Sequence, residues 1–539
     1  MAGQPQHQTP RFTDQLAAWV DAHVRWIAAL IGVIYVLAFS PHWRIGSDSA
    51  LYMTLGRNIA EGAGYTYHGQ PHDLVYPLLP WIVAGVWQIT HVGDILALNV
   101  VMLAAHLLAL GLIYYAMKCR FDRATAAIVV ALTAVAASVF PYAFQVMSDP
   151  PFFLGVAALL AGYEGWRVDR SAISPTRARW TWLGFMALFV AGLTGAIFAR
   201  PTSLPILVAV LFTAALGLWR GPLRVRHAIA GIGALLGAVL FYLLDPRRTA
   251  EQGSLTGDYE STQVERLTSP LSMIERALDI PVPMWFDAHA TEALVSIDLG
   301  PGISWIFGAL VIVLGLSLFR FRFLWGAIFA LTAAMLLVTQ PIVRYFMPIT
   351  PLLALAWWQA ARWIDSRWSH PRGAIVAGLM LILWVGGNLG ETVIDYTIEQ
   401  RHITGQLATY PDPYYRRLSG IKNAIETHTA NNAIVISPQP EELTYFTDRR
   451  VVFPHQHLSS AETARPIYAV LPPASKSPLL QGEPRFEPGS VLKTVKIDEE
   501  THWRFCRLTK PQKHTGRSAS NVKASGSTAD TGETKQPGR

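Results

Sequence analysis

The amino-acid sequence predicts a polytopic all-α membrane protein of about eleven transmembrane helices, followed by a small C-terminal extracytoplasmic α/β domain. Hydrophobic residues make up 51% of the 539 residues and charged residues only 15%, whereas about 25% of a globular chain is charged. Apolar runs recur between residues 25 and 390, near the length of about 20 residues that a helix needs to cross the hydrocarbon core. After residue 391 the runs become short and strand-like, which predicts a separate domain.

The chain begins with a polar stretch, residues 1–24, predicted to be a cytoplasmic N-terminal segment with a short amphipathic run from Phe12 to Val24. The first span is predicted at residues 25–40, and because no small-residue cleavage site follows, we expect an uncleaved anchor. Within the outer loop 41–93, the apolar run 77–90 is short for a full span and predicts an interfacial or re-entrant helix. Ten further spans complete the predicted transmembrane domain of residues 25–390, at 95–117, 124–141, 150–166, 180–199, 203–219, 228–244, 302–319, 323–340, 345–361 and 374–390.

Loops of two kinds alternate along this domain, and their charge predicts the orientation of the chain. Loops of the first kind are short and basic, so we expect them to face the cytoplasm; they contain Lys118, Arg120, Arg123, Arg167, Arg170, Arg177, Arg179, Arg220, Arg224, Arg226, Arg320, Arg322, Arg362, Arg367 and Arg372. Loops of the second kind are predicted to face outward: 41–93, 142–149, 245–300 and the turns at Arg200 and Arg344. The N-terminus is therefore predicted to be cytoplasmic and the C-terminus extracytoplasmic, in a multi-pass protein of the bacterial inner membrane. The positive charge lies mainly in the short loops that are predicted to face the cytoplasm. The net charge of +7 therefore reflects the membrane orientation and does not predict a nucleic-acid partner.

The predicted α/β domain covers residues 391–511. The stretch IKNAIETHTANNAIVIS reads as an amphipathic helix, an Asn-Asn turn and a short buried strand at 433–436, and EELTYFT reads as a second helix. Further strands are predicted in RVVF, IYAVLPP, VLKTVKI and WRFCRL. Residues 512–539 are rich in Ser, Thr, Gly, Lys and Asp without apolar periodicity, which predicts a disordered tail.

Asp48 is the first candidate catalytic residue, in the polar loop from Gly46 to Pro80. Ser47 and Asp48 precede an amphipathic helix, and both residue types are preferred N-caps, so capping alone would account for an Asp here. A helix N-terminus also stabilises an ionised carboxylate, which suits a base. The residues themselves leave both interpretations open.

Three more charged residues lie at predicted outer turns, where charge near a membrane interior suggests function. Asp149 precedes two prolines that open a helix, so it is either an N-cap or a second site carboxylate. Arg200 and Arg344 are either interfacial arginines with their stems in lipid or ligands of a phosphate, which arginine binds bidentately.

The segment GYTYHGQPHDLVYP concentrates aromatic and imidazole side chains, and these would line a sugar site or form an interfacial aromatic belt. His68 and His72 are four residues apart, but Gly69 and Pro71 do not allow them to share a helix, so a metal site is not predicted. The sequence contains no Walker A motif, no Gly-x-Ser-x-Gly and no His-Glu-x-x-His, which argues against an ATP-driven transporter and against those hydrolases.

Five pieces of the sequence, in their order and predicted sidedness, resemble the GT-C membrane glycosyltransferases, in the subgroup of protein O-mannosyltransferase and aminoarabinose transferase relatives (family 39-type). The pieces are SDSALYMTLGRNIAEGAGY, VYPLLPWIVA, SDPPFF, FARPTSLPIL and RYFMPITPLLAL. The resemblance covers residues 25–390, and the pattern IETHTANNAIVIS…YFTDRRVVFP resembles a common tail of the broad family.

This resemblance implies a polyprenyl-phosphate sugar donor on the outer leaflet and an acceptor hydroxyl on a lipid, glycan or protein. It makes Asp48 the general base and gives Asp149 an orienting role, with no cofactor; a divalent metal is the weaker alternative. The substrate-binding residues that we expect on this basis are Arg200, Arg344, Tyr345, His72, Tyr76 and Tyr65.

The sequence departs from the family pattern at two places. Ser49 stands where many relatives have Glu after the Asp, and Val75-Tyr76-Pro77 stands where many have Lys-Pro-Pro. A lysine that would meet phosphate is therefore missing, which weakens aminoarabinose transfer to lipid A as the activity. The alternatives to a glycosyltransferase are a transporter or flippase for a lipid-linked saccharide, or a membrane scaffold that binds a partner through its α/β domain.

Overall fold

The structure is a computed structural model that describes residues 10–72, 75–167, 175–220, 224–249, 300–338, 343–369, 371–403, 413–437, 440–452, 465–471, 487–496 and 502–509. The predicted disordered tail, 512–539, and most of the predicted outer loop 245–300 lie outside these residues. Within them the α-helices are α1 (Phe12–Leu37), α2 (Ser47–Ala60), α3 (Leu78–Ile89), α4 (Ile95–Lys118), α5 (Arg123–Val135), α6 (Asp149–Gly165), α7 (Pro175–Ala199), α8 (Leu204–Arg220), α9 (Arg224–Leu244), α10 (Gly300–Ser317), α11 (Phe323–Val338), α12 (Thr350–Arg367), α13 (Arg372–Gly387), α14 (Tyr396–Arg401), α15 (Pro413–His428) and α16 (Pro440–Thr447).

Each of the eleven predicted spans overlaps a helix, and the short run 77–90 forms the 12-residue helix α3. Five helical stretches of the described residues are long and apolar enough to cross a membrane: Phe12–Leu37, Ile95–Lys118, Arg179–Ala199, Pro201–Trp219 and Arg372–Arg401. The chain is thus a mostly helical protein with membrane-spanning helices, and the number of eleven spans stays a prediction.

Helix α1 begins at Phe12, well before residue 25 where the span was predicted to start. Thr13, in its first turn, explains the difference: its backbone N–H and its hydroxyl both donate to Asp365 Oδ2 at 2.8 Å. Asp365 belongs to α12, so a distant helix binds the start of α1. Two residues more than 350 positions apart leave no pattern in the local sequence that would predict their contact. The polar residues before residue 25 therefore form the first turns of α1, although their sequence does not predict a membrane span.

Helix α13 does not end at the predicted domain boundary between residues 390 and 391. It widens into a π-helix, Asn388–Asp395, and continues as α14 to Arg401. Asn388 is fully buried there; its Nδ2 donates to the Trp384 carbonyl at 2.7 Å and its Oδ1 accepts from the Ala137 N–H at 2.9 Å. The helix therefore carries the chain past residue 390 to Arg401, before α15 begins at Pro413.

Helices α6 and α7 pack backbone to backbone. A Cβ added at Gly192 of α7 would lie 2.5 Å from the Leu159 N atom of α6, and one added at Gly162 of α6 would lie 2.6 Å from the Phe189 N atom of α7. Small residues at such positions allow helices in a membrane to approach closely. This pair connects the turn before α6 rigidly to the turn after α7.

The C-terminal unit is a five-stranded sheet with α15 and α16 beside it. The strands are β3 (Ile434–Ile436), β4 (Arg450–Val452), β5 (Ile467–Leu471), β6 (Glu487–Lys496) and β7 (His502–Thr509). Their order is β4-β3-β5-β7-β6, in which β3 is parallel to β4 and β5 while β7 is antiparallel to β5 and β6. Each described strand overlaps one of the predicted runs, and β6 and β7 extend beyond theirs.

The C-terminal unit packs through α16 on the loop 41–93, which the sequence predicts to face outward. The ring of Trp43, just before α2, lies 4.8 Å from that of Tyr445 and 5.2 Å from that of Phe446. Arg57 of α2 forms an ion pair of 2.6 Å with Asp448, directly after α16. Helix α2 is therefore held between the membrane helices and the C-terminal unit.

Candidate active site

Asp48 lies in the first turn of α2 but does not cap it. Helix α2 begins at Ser47, its N-cap residue is Gly46 in extended backbone, and no side chain makes a capping bond. The Asp48 carboxylate instead forms an ion pair with Arg344, with 2.8 Å between Asp48 Oδ2 and Arg344 Nη2. Because 48% of its side-chain surface stays exposed, the carboxylate can also meet a substrate. Capping therefore does not account for this Asp.

Ser49 fixes the start of α2. It is buried, its hydroxyl donates to the Gly46 carbonyl at 2.8 Å, and it accepts from Trp43 Nε1 at 3.0 Å. The serine at this position therefore orients the turn that presents Asp48, and it connects that turn to the tryptophan on which the C-terminal unit packs.

Asp149 and Arg200 form a buried ion pair. Asp149 opens α6 and is fully buried, whereas Arg200 follows α7 in extended backbone and is 7% exposed. Arg200 Nη1 donates to Asp149 Oδ1, while Asp149 Oδ2 has no hydrogen-bond partner among the residues that the structure describes. The N-cap of α6 is Ser148, whose side chain makes no capping bond.

Tyr345 joins the two ion pairs into one site. Its ring centroid lies 5.0 Å from the guanidinium carbon of Arg200 and 5.6 Å from that of Arg344, within reach of cation–π attraction. Burial lowers the pKa of the Arg344 guanidinium, but the charges of Asp149 and then Asp48 raise it by more. The residues predicted from separate loops, Asp48, Asp149, Arg200, Arg344 and Tyr345, therefore converge.

Tyr52 belongs to this site although the sequence analysis did not select it. Its hydroxyl donates to the Ser148 Oγ at 3.1 Å. Burial, followed by the charge of Asp48, raises the pKa of Tyr52 to about 12, so the phenol stays neutral at pH 7. The sequence could have indicated that Tyr52 lies near Asp48, because the two residues are four positions apart and residues at that spacing share a helix face.

Tyr76 is paired with a cation that the sequence analysis also missed. Its ring stacks on Phe241 at 5.4 Å, and the guanidinium carbon of Arg247 lies 4.0 Å from its centroid. Arg247 is fixed by Asp245, with Nε–Oδ1 at 2.8 Å and Nη2–Oδ2 at 2.7 Å. An arginine thus occupies the neighbourhood of the missing lysine. Its position just after α9, at the start of the predicted outer loop 245–300, would have allowed the sequence analysis to select it as a candidate.

His72 and Tyr65 make contacts within their own loop. The Tyr65 hydroxyl donates to the Val75 carbonyl at 2.7 Å, and the rings of His72 and Tyr65 lie 6.1 Å apart. Strands β1 (Thr66–Tyr67) and β2 (Gln70–Pro71) form a hairpin here, with His68 and Gly69 at positive φ in its turn. Among the described residues, no three His, Cys, Asp or Glu side chains are grouped to hold a metal ion.

Two glutamates of α16 approach the Asp48 side of the site. Burial is the largest cause that raises the pKa of Glu441, to about 7, and the charges of Glu442 and Asp48 add to it. Burial and the charge of Asp48 likewise raise the pKa of Glu442. Sequence reasoning assigned EELTYFT to a helix of the C-terminal unit and had no means to place that helix beside α2.

Comparison with solved structures finds the same fold in ArnT from Cupriavidus metallidurans. The structure bound to undecaprenyl phosphate has a TM-score of 0.56 at 15% identity, over 90% of this chain and 98% of that chain. The apo structure has a TM-score of 0.54 at 14% identity, over 91% and 98% of the two chains. An oligosaccharyltransferase from Archaeoglobus fulgidus, tethered to an acceptor peptide, has a TM-score of 0.49 at 13% identity, over 81% and 64%.

The likeness to ArnT, a member of the GT-C superfamily, confirms the predicted resemblance at the level of the fold. No protein-family model matches the sequence, and comparison with curated proteins finds no relative.

Proposed function

We propose that this protein transfers a sugar from a polyprenyl-phosphate donor to an acceptor hydroxyl at the outer face of the membrane, with Asp48 as general base. The observation that carries the proposal is the half-exposed Asp48 bound to Arg344, beside the buried pair of Asp149 and Arg200. A base and two cations in one polar site, on the fold of a protein solved with undecaprenyl phosphate, suit this reaction. The acceptor is a lipid, a glycan or a protein.

In the proposed reaction the acceptor oxygen attacks the anomeric carbon while Asp48 takes its proton. The bond between that carbon and the phosphate oxygen breaks, and the phosphate leaves with the electron pair. Arg344 and Arg200 stabilise the charge that develops on it, so no general acid is needed, unlike in glycosidases. Arg344 has an Nε–H without a partner among the described residues, which is available to a phosphate.

The remaining predicted substrate residues have supporting roles in this proposal. Tyr345 keeps both guanidinium groups in place through its ring, and Asp149 orients Arg200. Tyr76 positions Arg247 as a further cation for the donor phosphate, whereas Tyr65 and His72 shape the loop. The proposed mechanism needs no metal ion, so we expect a chelator such as EDTA to leave the transfer rate unchanged.

The test is an Asp48→Asn variant, assayed with membranes and a panel of radiolabelled polyprenyl-phosphate sugars. We expect at least a 100-fold loss of transfer, since a general base contributes about 10²–10⁴ in rate, while donor binding is retained. Glu61→Gln, in the exposed residue that follows α2, is the matched control. Transfer by Asp48→Asn at the wild-type rate would show that this carboxylate is not the base. A wild-type protein that moves labelled donor between leaflets without forming product would favour a flippase.

The proposed location is a bacterial inner membrane, with the N-terminus cytoplasmic and the outer loop periplasmic. In a cysteine-free background (Cys119→Ser, Cys506→Ser), we expect Glu61→Cys to react with a membrane-impermeant maleimide in cells whose inner membrane is intact. Arg367→Cys, also at an exposed residue, should react only after that membrane is permeabilised. The reverse labelling pattern would invert the orientation.

A further inference from the structure

We propose that Tyr396 of α14 is a positioning residue of the active site: its hydroxyl holds the segment that leads to Asp149, and its ring holds the turn that leads to Asp48. The inference rests on the proposed function, and it gives a role in the reaction to the helix that follows the π-helix. Tyr396 acts through the two carboxylates and not on the substrate.

The segment between α5 and α6 is buried although it is not an α-helix. Helix α5 ends at Val135, and residues 136–148 contain only the short 3₁₀-helix Pro141–Phe144 before α6 begins at Asp149. Every residue of this segment is buried or partly buried. Backbone that is buried without helical hydrogen bonds needs other partners, above all in a membrane protein.

Side chains from the end of the α13–α14 helix supply such partners. Asn388 Oδ1 accepts from the Ala137 N–H at 2.9 Å, and the Tyr396 hydroxyl donates to the Pro141 carbonyl at 2.8 Å. The ring of Tyr396 also packs against that of Phe144, with 5.7 Å between the centroids. Tyr396 therefore holds the middle of the segment by a hydrogen bond and by packing.

The last residues of this segment form one side of the candidate site. Met147 Sδ lies 3.9 Å from Arg344 Nη1. Ser148 accepts the hydrogen bond of the Tyr52 hydroxyl, and Asp149 follows directly. The position of the segment therefore determines where the buried carboxylate and its two neighbours meet the rest of the site.

The ring of Tyr396 holds a second chain segment of the site. The guanidinium carbon of Arg44 lies 4.4 Å from the centroid of this ring, within reach of cation–π attraction. Arg44 Nη2 also forms an ion pair of 3.1 Å with Glu399 Oε2 of α14. Arg44 stands four residues before Asp48, and the hydrogen bonds of Ser49 fix the turn between them. One side chain thus contacts both segments that carry the carboxylates.

The π-helix Asn388–Asp395 gives Tyr396 its direction. A π-helix has wider turns than an α-helix, so the residues after it point differently from those of a straight α-helix. Residues at both ends of the widened stretch, Asn388 and Tyr396, bind the same segment 136–148. π-Helices are rare and often occur at functional sites, which agrees with a positioning role for this one.

The experiment compares Tyr396→Phe with Tyr163→Phe in the full-length protein. Tyr163 is the matched control, because it is also buried, its hydroxyl accepts from Arg167 Nη1 at 2.6 Å, and its ring lies 5.1 Å from the Arg167 guanidinium carbon. It lies near the other end of α6, about 20 Å along the helix from Asp149. The probe is the radiolabelled polyprenyl-phosphate sugar that the wild-type protein transfers.

We expect the transfer rate of Tyr396→Phe at saturating donor to fall about ten- to hundredfold per folded molecule, because small displacements of catalytic groups have large effects on rate. Its donor Kd should change by less than about threefold, since the arginines that bind the phosphate lie on other segments. Tyr163→Phe should keep the wild-type rate and Kd. Gel filtration gives the folded amount of each variant.

A second pair of variants tests the contact with the ring. Arg44 is partly exposed, with 23% of its side-chain surface accessible, so its variants remain informative even if Tyr396→Phe folds poorly. Arg44→Met should lower the transfer rate per folded molecule about tenfold, and Arg44→Lys, which keeps a cation over the ring, should recover most of that loss.

Three results would overturn the inference. These are a lower melting temperature of Tyr396→Phe with wild-type transfer per folded molecule, an equal loss of transfer in Tyr163→Phe, and wild-type transfer by Arg44→Met. The first of them would show that Tyr396 has only a structural role. Failure of the proposed function looks different, because the wild-type protein itself would then form no labelled product.

Discussion

The buried pair of Asp149 and Arg200 shows how stability and chemistry can depend on the same residue. Their side chains are 1% and 8% exposed, so removal of one partner leaves an uncompensated charge inside the protein. Loss of one partner from a buried pair costs about 3–5 kcal/mol, whereas replacement of both by apolar residues is often neutral. Arg200 also faces the Tyr345 ring, where we propose that a phosphate binds.

We therefore expect Arg200→Met to lower the free energy of unfolding by about 3–5 kcal/mol, measured by thermal denaturation in detergent. The double variant Arg200→Met/Asp149→Leu should recover most of that stability because no buried charge remains unpaired. If Arg200 binds the donor phosphate, the double variant stays deficient in donor binding. A stable double variant with wild-type transfer would leave Arg200 with a structural role only.

Tyr52 offers a smaller change in the same site. Its hydroxyl donates to Ser148 and has a pKa raised to about 12, so it stays neutral between pH 5 and pH 9. We expect Tyr52→Phe to cost about 0.5–1.5 kcal/mol of stability, as for one lost hydrogen bond, and to leave the shape of the pH–rate profile unchanged between pH 5 and 9. A new limb in that profile would assign Tyr52 a proton-transfer role.

At the scale of the element, the pair of α6 and α7 positions both residues of the buried ion pair. Gly192 leaves no space for a side chain against α6, whereas a Cβ at Gly184 of the same helix would meet nothing within 4 Å. We expect Gly192→Leu to separate the helices and abolish both folding yield and transfer. Gly184→Leu should keep the wild-type folding yield and transfer. Fluorescence-detected gel filtration compares the folding yields of the two variants directly. Equal yields would mean that the close contact is not needed.

The elements also show where sequence patterns stop being informative. The apolar runs correctly predicted the middle of each helix, because a helix segment that is buried in lipid or in the protein core must be apolar. The helix ends depend on partners far along the chain: α1 starts early because Thr13 binds Asp365, and α13 continues because Asn388 binds Ala137.

At the scale of the molecule, the contact between the C-terminal unit and α2 should depend on pH. The pKa of Glu441 is raised from 4.5 to about 7, so the folded state keeps a proton that the unfolded state has lost. Stability linked to this group is therefore complete below pH 4.5 and falls as the pH rises to about 7. We expect limited proteolysis of the C-terminal unit to be faster at pH 8 than at pH 5.5, after correction for the pH dependence of the protease, and Glu441→Gln to reduce the difference. Equal rates of proteolysis of the wild-type protein at pH 5.5 and pH 8 would contradict this pH dependence.

The sequence by itself determined the helical membrane architecture, because apolar periodicity and length are local properties of the chain. It also determined that acidic and basic residues lie at predicted outer turns, and the order of its motifs indicated the GT-C fold. Only the tertiary structure decided that Asp48 binds Arg344 instead of capping α2, and that Arg200 binds Asp149. The same holds for Arg247 beside Tyr76 and for the glutamates of α16 beside Asp48. The physical reason is that ion pairs and like-charge fields depend on distances of a few ångströms between residues that are 50 to 400 positions apart in the chain.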